Sequence, residues 1–190
     1  MTTDTPTHTP HIRALPTVTD AQVHALAHVL IDCVAGGASV SFMQPLSFER
    51  ACAFWRGVAD GVARGERVLL VAEDDEGIVG TVQLVLAQPE NQPHRGEVAK
   101  MLVHRRARRQ GLGALLMQAA EKEAHAHRKT LLVLDTSSAE AARLYARVGW
   151  QRVGGIPGYA LLPEGGLCGT TYFYRELGAG AQALGAVAAP

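Results

Sequence analysis

The chain has 190 residues, of which 47% are hydrophobic and 19% are charged, the composition of an ordinary globular domain. This length suffices for one hydrophobic core and is short for two. The formal net charge is zero, which excludes proteins that bind nucleic acid or membranes through a high overall positive charge. Residues 1–94 contain five Lys and Arg against eleven Asp and Glu, whereas residues 95–190 contain thirteen against seven. The second half is therefore the half expected to bind an anion.

The two ends of the chain are predicted to be tails. Residues 1–11 are polar and rich in Pro and Thr, which predicts a disordered tail and is unlike a signal peptide. Residues 178–190 form a Gly/Ala-rich segment that we expect to be flexible. No apolar run approaches the roughly 18 residues that a membrane span needs. Three widely spaced cysteines without a C-x-x-C pair indicate free thiols in a reducing compartment. We therefore expect a cytoplasmic protein with one domain over residues 12–177.

Two helices are predicted first. Thr19 and Gln22 have the spacing of a capping box at the start of the first helix, and Gly36 and Gly37 end it. The second helix begins near Ser47. Its predicted apolar stripe consists of Phe48, Cys52, Trp55, Val58 and Val62.

Strand patterns dominate the next part of the chain. Residues 67–88 predict two strands joined by a hairpin turn at 74–77. Residues 97–103 predict a third strand, and apolar periodicity predicts a helix from about Gly111.

The last elements complete an alternating pattern. Residues 130–136 form a continuous apolar run, typical of a strand that is buried on both faces. A helix follows, in which Ser137 and Glu140 are expected to form a capping box and Gly149 to end the last turn. Residues 170–177 predict a final strand. The order predicts an α/β protein with a sheet of mixed direction and helices on both faces.

A basic segment, HRRARRQGLG at residues 104–113, joins the third strand to the following helix. A helix N-terminus that follows a strand and a short loop offers free N–H groups and a positive dipole end to an anion. Gly111 and Gly113 let a ligand approach the backbone closely, and four arginines add charge. The segment lacks the lysine of a Walker motif and the third glycine of a dinucleotide-binding fingerprint, so neither of these phosphate-binding loops fits. A basic, solvent-exposed loop before an ordinary surface helix is the alternative interpretation of the same spacing.

The segment resembles motif A of the GNAT N-acetyltransferase superfamily, whose core reads Arg or Gln, two residues, Gly, one residue, Gly or Ala. Residues 108–113 (RRQGLG) match that core, and residues 141–150 contain a second motif of the family, A-x-x-L-Y-x-x-x-G-W. A closer similarity is to the tabtoxin resistance acetyltransferase branch. It lies in GGASVSFM (36–43), IPGYALLPEGGL (156–167) and YFYREL (172–177).

The resemblance implies a GNAT-like α/β fold: a mixed, mostly antiparallel sheet, helices on both faces, and a central pair of splayed strands. It also implies direct transfer of an acetyl group from acetyl-CoA to an amine, with no metal. The implied cofactor-binding residues are Leu102, Val103, Arg108, Arg109, Gln110, Gly111, Leu112, Gly113, Ala114, Ser138 and Tyr145. The chain departs from the family in having arginine at positions 105 and 109, often proline and glycine, and Ser138 in place of a frequent asparagine.

Two residues are candidates for catalysis. The resemblance assigns Tyr145 as the general acid toward the CoA sulfur, and the unperturbed tyrosine pKa of about 10 keeps the phenol protonated at neutral pH. Glu97 is a candidate base acting through water, although a substrate that arrives as the neutral amine needs no base. His94 and His104 flank the same strand and are weaker candidates for the base. The histidines at 125 and 127 lack a third ligand and do not indicate a metal site.

The acceptor is predicted to be a small, amino-acid-like amine, with antibiotic or toxin resistance as one role. By analogy with the family, its pocket is expected to come from the first two helices and a loop at 154–167. Asp32, Glu73 and Asp74 are candidates to attract the ammonium group. A protein Lys or N-terminal acetyltransferase and a non-catalytic acyl-CoA sensor are the alternatives. The family also implies a homodimer, and neither a nucleic acid nor a membrane is an expected partner.

Overall fold

The structure is a computed structural model that describes residues 10–178. Residues 1–9 and 179–190, nearly all of the two predicted tails, lie outside the described residues. Within the described range the elements are β1 (His11–Ala14), α1 (Asp20–Ala35), α2 (Phe48–Ala63), β2 (Arg67–Asp74), β3 (Gly77–Leu86), β4 (Arg95–Val103), α3 (Leu112–Ala126), β5 (Leu131–Thr136), α4 (Ala139–Arg147), β6 (Gln151–Leu161) and β7 (Leu167–Glu176).

The strands form one sheet in the order β1-β2-β3-β4-β5-β7-β6. Neighbours run antiparallel except β4 and β5, which run parallel in the centre. This confirms the predicted mixed, mostly antiparallel sheet.

The central pair β4 and β5 is bonded over a short length. Arg95, Gly96 and Glu97 pair with residues 131–133, and the strands then separate. β5 is held on its other side by β7 along its full length. The separation opens a gap in the middle of the sheet, which confirms the predicted splayed pair.

Each face of the sheet buries its own core. Along β2, Leu69 and Val71 pack with α1 and α2, whereas Leu70 and Ala72 pack with α3 and α4. This alternation follows from the two-residue period of a strand. The sheet is therefore covered on both faces, as the sequence predicted.

The predicted cap of α1 and the predicted start of α2 are confirmed. The Gln22 N–H donates to Thr19 Oγ1 at 3.3 Å, and the Thr19 N–H donates to Gln22 Oε1 at 2.9 Å, which is a complete capping box. The Arg50 N–H donates to Ser47 Oγ at the start of α2. Phe48, predicted to be buried, has 39% of its surface exposed, because it lies at the first position of α2 with its ring against His24 and His28 of α1.

The predicted cap of α4 is wrong by one residue. Ser138, not Ser137, is the N-cap, and its Oγ accepts from the Ala141 N–H at 3.2 Å. The Ser138 N–H donates to Thr136 Oγ1 at 3.1 Å, so a residue before the helix, rather than a glutamate within it, satisfies this group. Gly149 follows the helix with φ +90°, as predicted.

Two strands were not predicted. β1 is a four-residue edge strand that begins inside the predicted N-terminal tail. β6 covers much of the segment that was expected to be a loop. That expectation depended on Gly154, Gly155, Pro157 and Gly158, which are typical of irregular structure. β6 is an edge strand that pairs with β7 alone, and its register shifts twice. Edge strands with such irregularities tolerate glycine and proline.

We predict that Ser138→Ala lowers the free energy of unfolding by about 1 kcal/mol, because the Ala141 N–H loses its capping acceptor. Ser137→Ala, the matched control, should change it by less than about 0.5 kcal/mol. Urea denaturation measures both. Equal losses in the two variants would contradict the assignment of Ser138 as the cap.

Candidate active site

A cleft of about 910 Å³ occupies the gap between β4 and β5. Its floor is β4, and its sides are the loop before α3 and the start of α4. Its roof consists of residues 36–43, which follow α1, and residues 159–162 at the end of β6. A smaller cavity of about 310 Å³ shares Glu97, Asp135 and Tyr159 with the cleft.

A β-bulge shapes the floor of the cleft. Thr81 pairs with Leu102 and Gln83 pairs with Ala99, so β4 has one extra residue between these two pairs. Lys100, within the bulge, has φ +50°, in the left-handed region that non-glycine residues seldom adopt. The bulge increases the bend of β4 where the strand separates from β5.

The N-terminus of α3 opens into the cleft with free donors. Gly111 is its N-cap, with φ +79° and no side-chain hydrogen bond. Within residues 10–178, the N–H groups of Gly111, Leu112 and Gly113 have no hydrogen-bond acceptor. A Cβ at position 113 would lie 2.9 Å from Leu144 Cδ2, so glycine also permits the close approach of α4. These donors fit the pyrophosphate of acetyl-CoA, because an uncapped helix N-terminus binds phosphate well.

Two of the four clustered arginines hold the loop rather than face a ligand. Arg105 forms an ion pair with Asp32 of α1, and its N–H donates to Asp32 Oδ2 at 2.9 Å. Arg106 forms two hydrogen bonds with Asp74, at 2.5 and 2.9 Å, which hold the pKa of that carboxyl below its usual value. The acidic first half of the chain therefore neutralises part of the basic segment.

The other two arginines line the cleft. Arg108 donates from Nε to the Val103 carbonyl at 2.9 Å and from Nη2 to Cys33 Sγ at 3.7 Å. The Cys33 thiol also donates to that carbonyl, at 3.5 Å, and burial raises its pKa. Arg109 has φ +63° and forms no ion pair with the described part of the chain. Arg109 therefore has the guanidinium most available to an anion.

Tyr145 reaches the cleft from α4 and is 5% exposed. Its ring packs against Trp150, with centroids 6.2 Å apart, and edge-on against Phe173 at 5.8 Å. Burial, with a smaller contribution from the negative charge of Asp135, raises the pKa of Tyr145 to about 12. The phenol is therefore protonated at neutral pH.

Two carboxylates stand where the central strands separate. Glu97 is the last β4 residue paired with β5, and Asp135 lies two residues beyond its partner Val133. Both side chains are exposed and line the cleft. Thr170 of β7 is buried and donates from Oγ1 to Asp135 Oδ2 at 2.6 Å, which orients that carboxylate.

A lysine faces the same end of the cleft. Lys100 is half-buried, and its Nζ donates to Ser41 Oγ in the roof at 3.1 Å. Burial lowers the pKa of Lys100, and the charges of Asp135 and Glu97 oppose this shift. The cleft thus has an ammonium group and two carboxylates at one end.

The roof is bonded to the β6–β7 hairpin. Ser39 Oγ donates to the Leu161 carbonyl at 3.0 Å, and the Gln44 N–H donates to the Pro163 carbonyl at 2.9 Å. The expected acceptor pocket is therefore corrected in two respects. The connection between α1 and α2 lines the cleft rather than α2 itself, and the expected loop is largely a strand.

The cleft brings together nearly all of the predicted site residues. The exception is Gln110, which does not line it and donates from its side chain to the Arg106 carbonyl at 3.4 Å. His94 and His104 do not line the cleft either. Among the predicted acidic attractors, Glu73 forms an ion pair with Arg13 at 2.7 Å.

All three attractors are thus held by arginines outside the cleft, and this prediction is wrong. Asp32 and Asp74 pair with the loop arginines as described above. The sequence analysis missed Lys100 and Asp135. No signal in the sequence singled them out, because Lys100 shares β4 with Arg95 and Glu97, and Asp135 stands beside Thr136 at the end of β5.

Residues 65–152 match the family model of the acetyltransferase (GNAT) domain. The part of the chain that contains motif A is therefore similar to GNAT acetyltransferase domains. This match confirms what motif A indicated and the predicted enzyme class, an acyltransferase.

Solved structures share the GNAT fold with this chain at low identity. A ribosomal-protein-alanine N-acetyltransferase from Brucella melitensis is 21% identical, with a TM-score of 0.73 over 88% of this chain and 99% of that one. A phosphinothricin acetyltransferase from Sinorhizobium meliloti in complex with acetyl-CoA is 16% identical, with a TM-score of 0.76 over 93% of each chain. An N-acetyltransferase from Staphylococcus aureus Mu50 is 16% identical, with a TM-score of 0.73 over 89% of this chain and 99% of that one. These likenesses confirm the GNAT-like fold.

Two structural features are absent from residues 10–178. No helix in this range is long and apolar enough to cross the bilayer. The same residues contain no group of three or more His, Cys, Asp or Glu that could hold a metal ion.

We predict that Gly111→Ala lowers the free energy of unfolding of the protein by about 1 kcal/mol, because alanine is strained at φ +79°. Gly57→Ala is the control: it lies exposed within α2 with open space around it and should stabilise the protein by roughly 0.5–1 kcal/mol. Denaturant titration measures both. A neutral Gly111→Ala would show that the loop accepts another backbone conformation.

Proposed function

We propose that the protein is an acetyl-CoA-dependent N-acetyltransferase that acts on the amine of a small, amino-acid-like substrate. The observation that carries this proposal is a single cleft in which three features meet. These are an uncapped helix N-terminus, the free end of a splayed strand, and a buried, protonated Tyr145.

The cofactor-binding roles follow from the two walls of the cleft. The free N–H groups at residues 111–113, with Arg109, bind the pyrophosphate, and Arg108 keeps the loop against β4. The backbone of Leu102 and Val103 pairs with the pantetheine amides. The Val103 carbonyl already accepts two hydrogen bonds, so a ligand amide displaces one of them, the weaker thiol contact first. Ser138 uses its hydroxyl to cap α4 and offers the cofactor less reach than the family's usual asparagine.

Bound acetyl-CoA supplies the acetyl group as a thioester. Tyr145 donates a proton to the departing sulfur, a role that its raised pKa permits because the phenol stays protonated. Glu97, exposed at the point where the strands separate, takes a proton from the acceptor ammonium through water. Asp135 stands across the gap with a fixed orientation and adds negative charge that favours a cationic acceptor.

A small acceptor fits the roofed cleft better than a protein does. The bonds from Ser39 and Gln44 to the hairpin hold the roof over the cleft, which leaves less room for a peptide than for a small molecule. The similarity to the tabtoxin resistance branch, and the fold shared with a phosphinothricin acetyltransferase, support an amino-acid-like substrate and a role in resistance. The free thiols of Cys33, Cys52 and Cys168 suit a reducing, cytoplasmic location.

We predict that the protein releases free thiol from acetyl-CoA in the presence of one class among amino-acid-like amines, aminoglycosides, polyamines and Lys peptides. Tyr145→Phe should lower kcat at least about tenfold and leave acetyl-CoA affinity nearly unchanged, because it removes the acid but keeps the packed ring. Turnover of Lys peptides alone would favour the protein acetyltransferase. Binding of acetyl-CoA without turnover on any amine would favour a sensor.

The pH profile is the control for the acid role. Because the pKa of Tyr145 is about 12, the phenol loses its proton only above about pH 10. The ratio of wild-type to Tyr145→Phe kcat should therefore stay constant from about pH 7 to about pH 10. A ratio that falls toward one near pH 9 would show that another group supplies the proton.

We propose that the protein is a homodimer formed through β6 and β7. β6 is a sheet edge with unpaired backbone groups, and the hairpin exposes large apolar side chains, among them Val153 at 66% and Leu167 at 73%. Leu167→Glu should shift the sedimentation coefficient from dimer to monomer. Leu115→Glu, at an exposed position on α3, should not. A monomeric wild type at micromolar concentration would overturn this proposal.

A further inference from the structure

We propose that Lys100 and Ser41 form a subsite for the carboxylate of the acceptor, which is therefore an amino acid with a free acid group. This inference rests on the proposed function, because it assigns the acceptor end of the same cleft. Lys100 lies outside every motif named above, and Ser41 lies in GGASVSFM (36–43), to which no role was assigned.

The backbone holds these two residues in unfavourable conformations to bring them together. Ser41 has φ +78° and Lys100 has φ +50°, and their side chains are hydrogen-bonded across the cleft at 3.1 Å. Left-handed conformations cost roughly 1–3 kcal/mol at non-glycine residues and concentrate at functional sites. One of the two lies in the β4 bulge and the other in the roof, so the contact joins two separate elements.

Lys100 has donors left for a ligand. An ammonium group has three N–H bonds, and one of them is directed to Ser41 Oγ. No carboxylate of the described residues lies within 4.0 Å of its Nζ. A half-buried cation that lacks an ion pair is costly, and an arriving carboxylate would form charge-assisted hydrogen bonds with it.

The charges around Lys100 define which ligand fits. Glu97 and Asp135 lie close enough to oppose the burial-induced fall in its pKa, and Asp135 also raises the pKa of Tyr145. One end of the cleft therefore presents two negative groups and one positive group near the phenol. This set complements a zwitterion whose ammonium faces the carboxylates and whose carboxylate binds Lys100.

Other amines complement the set less well. A polyamine or an aminoglycoside has no carboxylate, so its cationic groups would meet Lys100. A peptide N-terminus has an amide where the free acid would stand. Lys100 therefore selects amino acids over these classes through charge.

The test compares each accepted amino acid with its carboxamide, in wild type and variants. Wild type should prefer the acid at least about tenfold in kcat/KM, the usual size of a charge-assisted contact. Lys100→Met should bring the ratio close to one, and Lys100→Arg should keep most of it. Lys122→Met, on the exposed surface of α3, should leave the ratio unchanged.

Calorimetry adds a readout that does not depend on turnover. In the presence of CoA, the acid should bind wild type at least about tenfold more tightly than Lys100→Met. Each variant is also titrated with acetyl-CoA. A variant that keeps its acetyl-CoA affinity is folded, so weaker binding of the acid then reports the loss of the subsite. Ser41→Ala should reduce the preference for the acid less than Lys100→Met does, because the ammonium group remains.

The outcomes separate the two proposals. Turnover with equal use of acid and amide would overturn the subsite and leave the proposed function intact. Absence of turnover on every amine would overturn the proposed function, and absence of acid binding would then overturn the subsite as well. Acetylation of Lys100 itself, detected by mass spectrometry, would overturn the subsite by making this residue an acceptor rather than an anchor.

Discussion

The structure depends on the short parallel pairing of β4 and β5. The two strands share three residue pairs and then separate, each held from its other side by an antiparallel neighbour. The separation exposes strand edge and opens a cleft through the centre of the sheet. Unpaired backbone groups inside a domain are costly unless a ligand or water satisfies them. The gap is therefore a built site, and the loop before α3, the start of α4 and the roof are arranged around it.

The segregation of charge along the chain serves first to hold the domain together. The acidic first half supplies Asp32 and Asp74, which bind two arginines of the basic segment and tie the loop to α1 and to the β2–β3 turn. The remaining arginines and the amides of α3 are left to face the cleft. Net charge and motif therefore overstate the number of cationic groups available to an anion. A guanidinium that forms an ion pair within the fold holds the loop in place and adds little attraction for an anionic ligand.

The two ends of the cleft differ in chemistry. The proposed cofactor end offers backbone amides and a helix dipole, which depend on the path of the chain rather than on side chains. The proposed acceptor end contains Glu97, Lys100 and Asp135, whose positions depend on the bulge in β4 and on the divergence from β5. Acceptor specificity can therefore change by substitution at a few positions while the fold and the cofactor end stay the same.

The sequence by itself determined the local features: the cap of α1, the start of α2, the hairpin of β2 and β3, the glycine loop before α3 and the phenol of Tyr145. Each depends on residues close together in the chain, where periodicity and capping rules apply directly. The tertiary structure alone decided that β6 is an edge strand, that the acidic candidates bind arginines, and that Lys100 and Asp135 face one cleft. These results depend on pairing between residues far apart in the chain. The register of paired strands, the ion pairs between distant residues and the side chains that meet in one cleft are properties of the assembled sheet. No local sequence pattern encodes them.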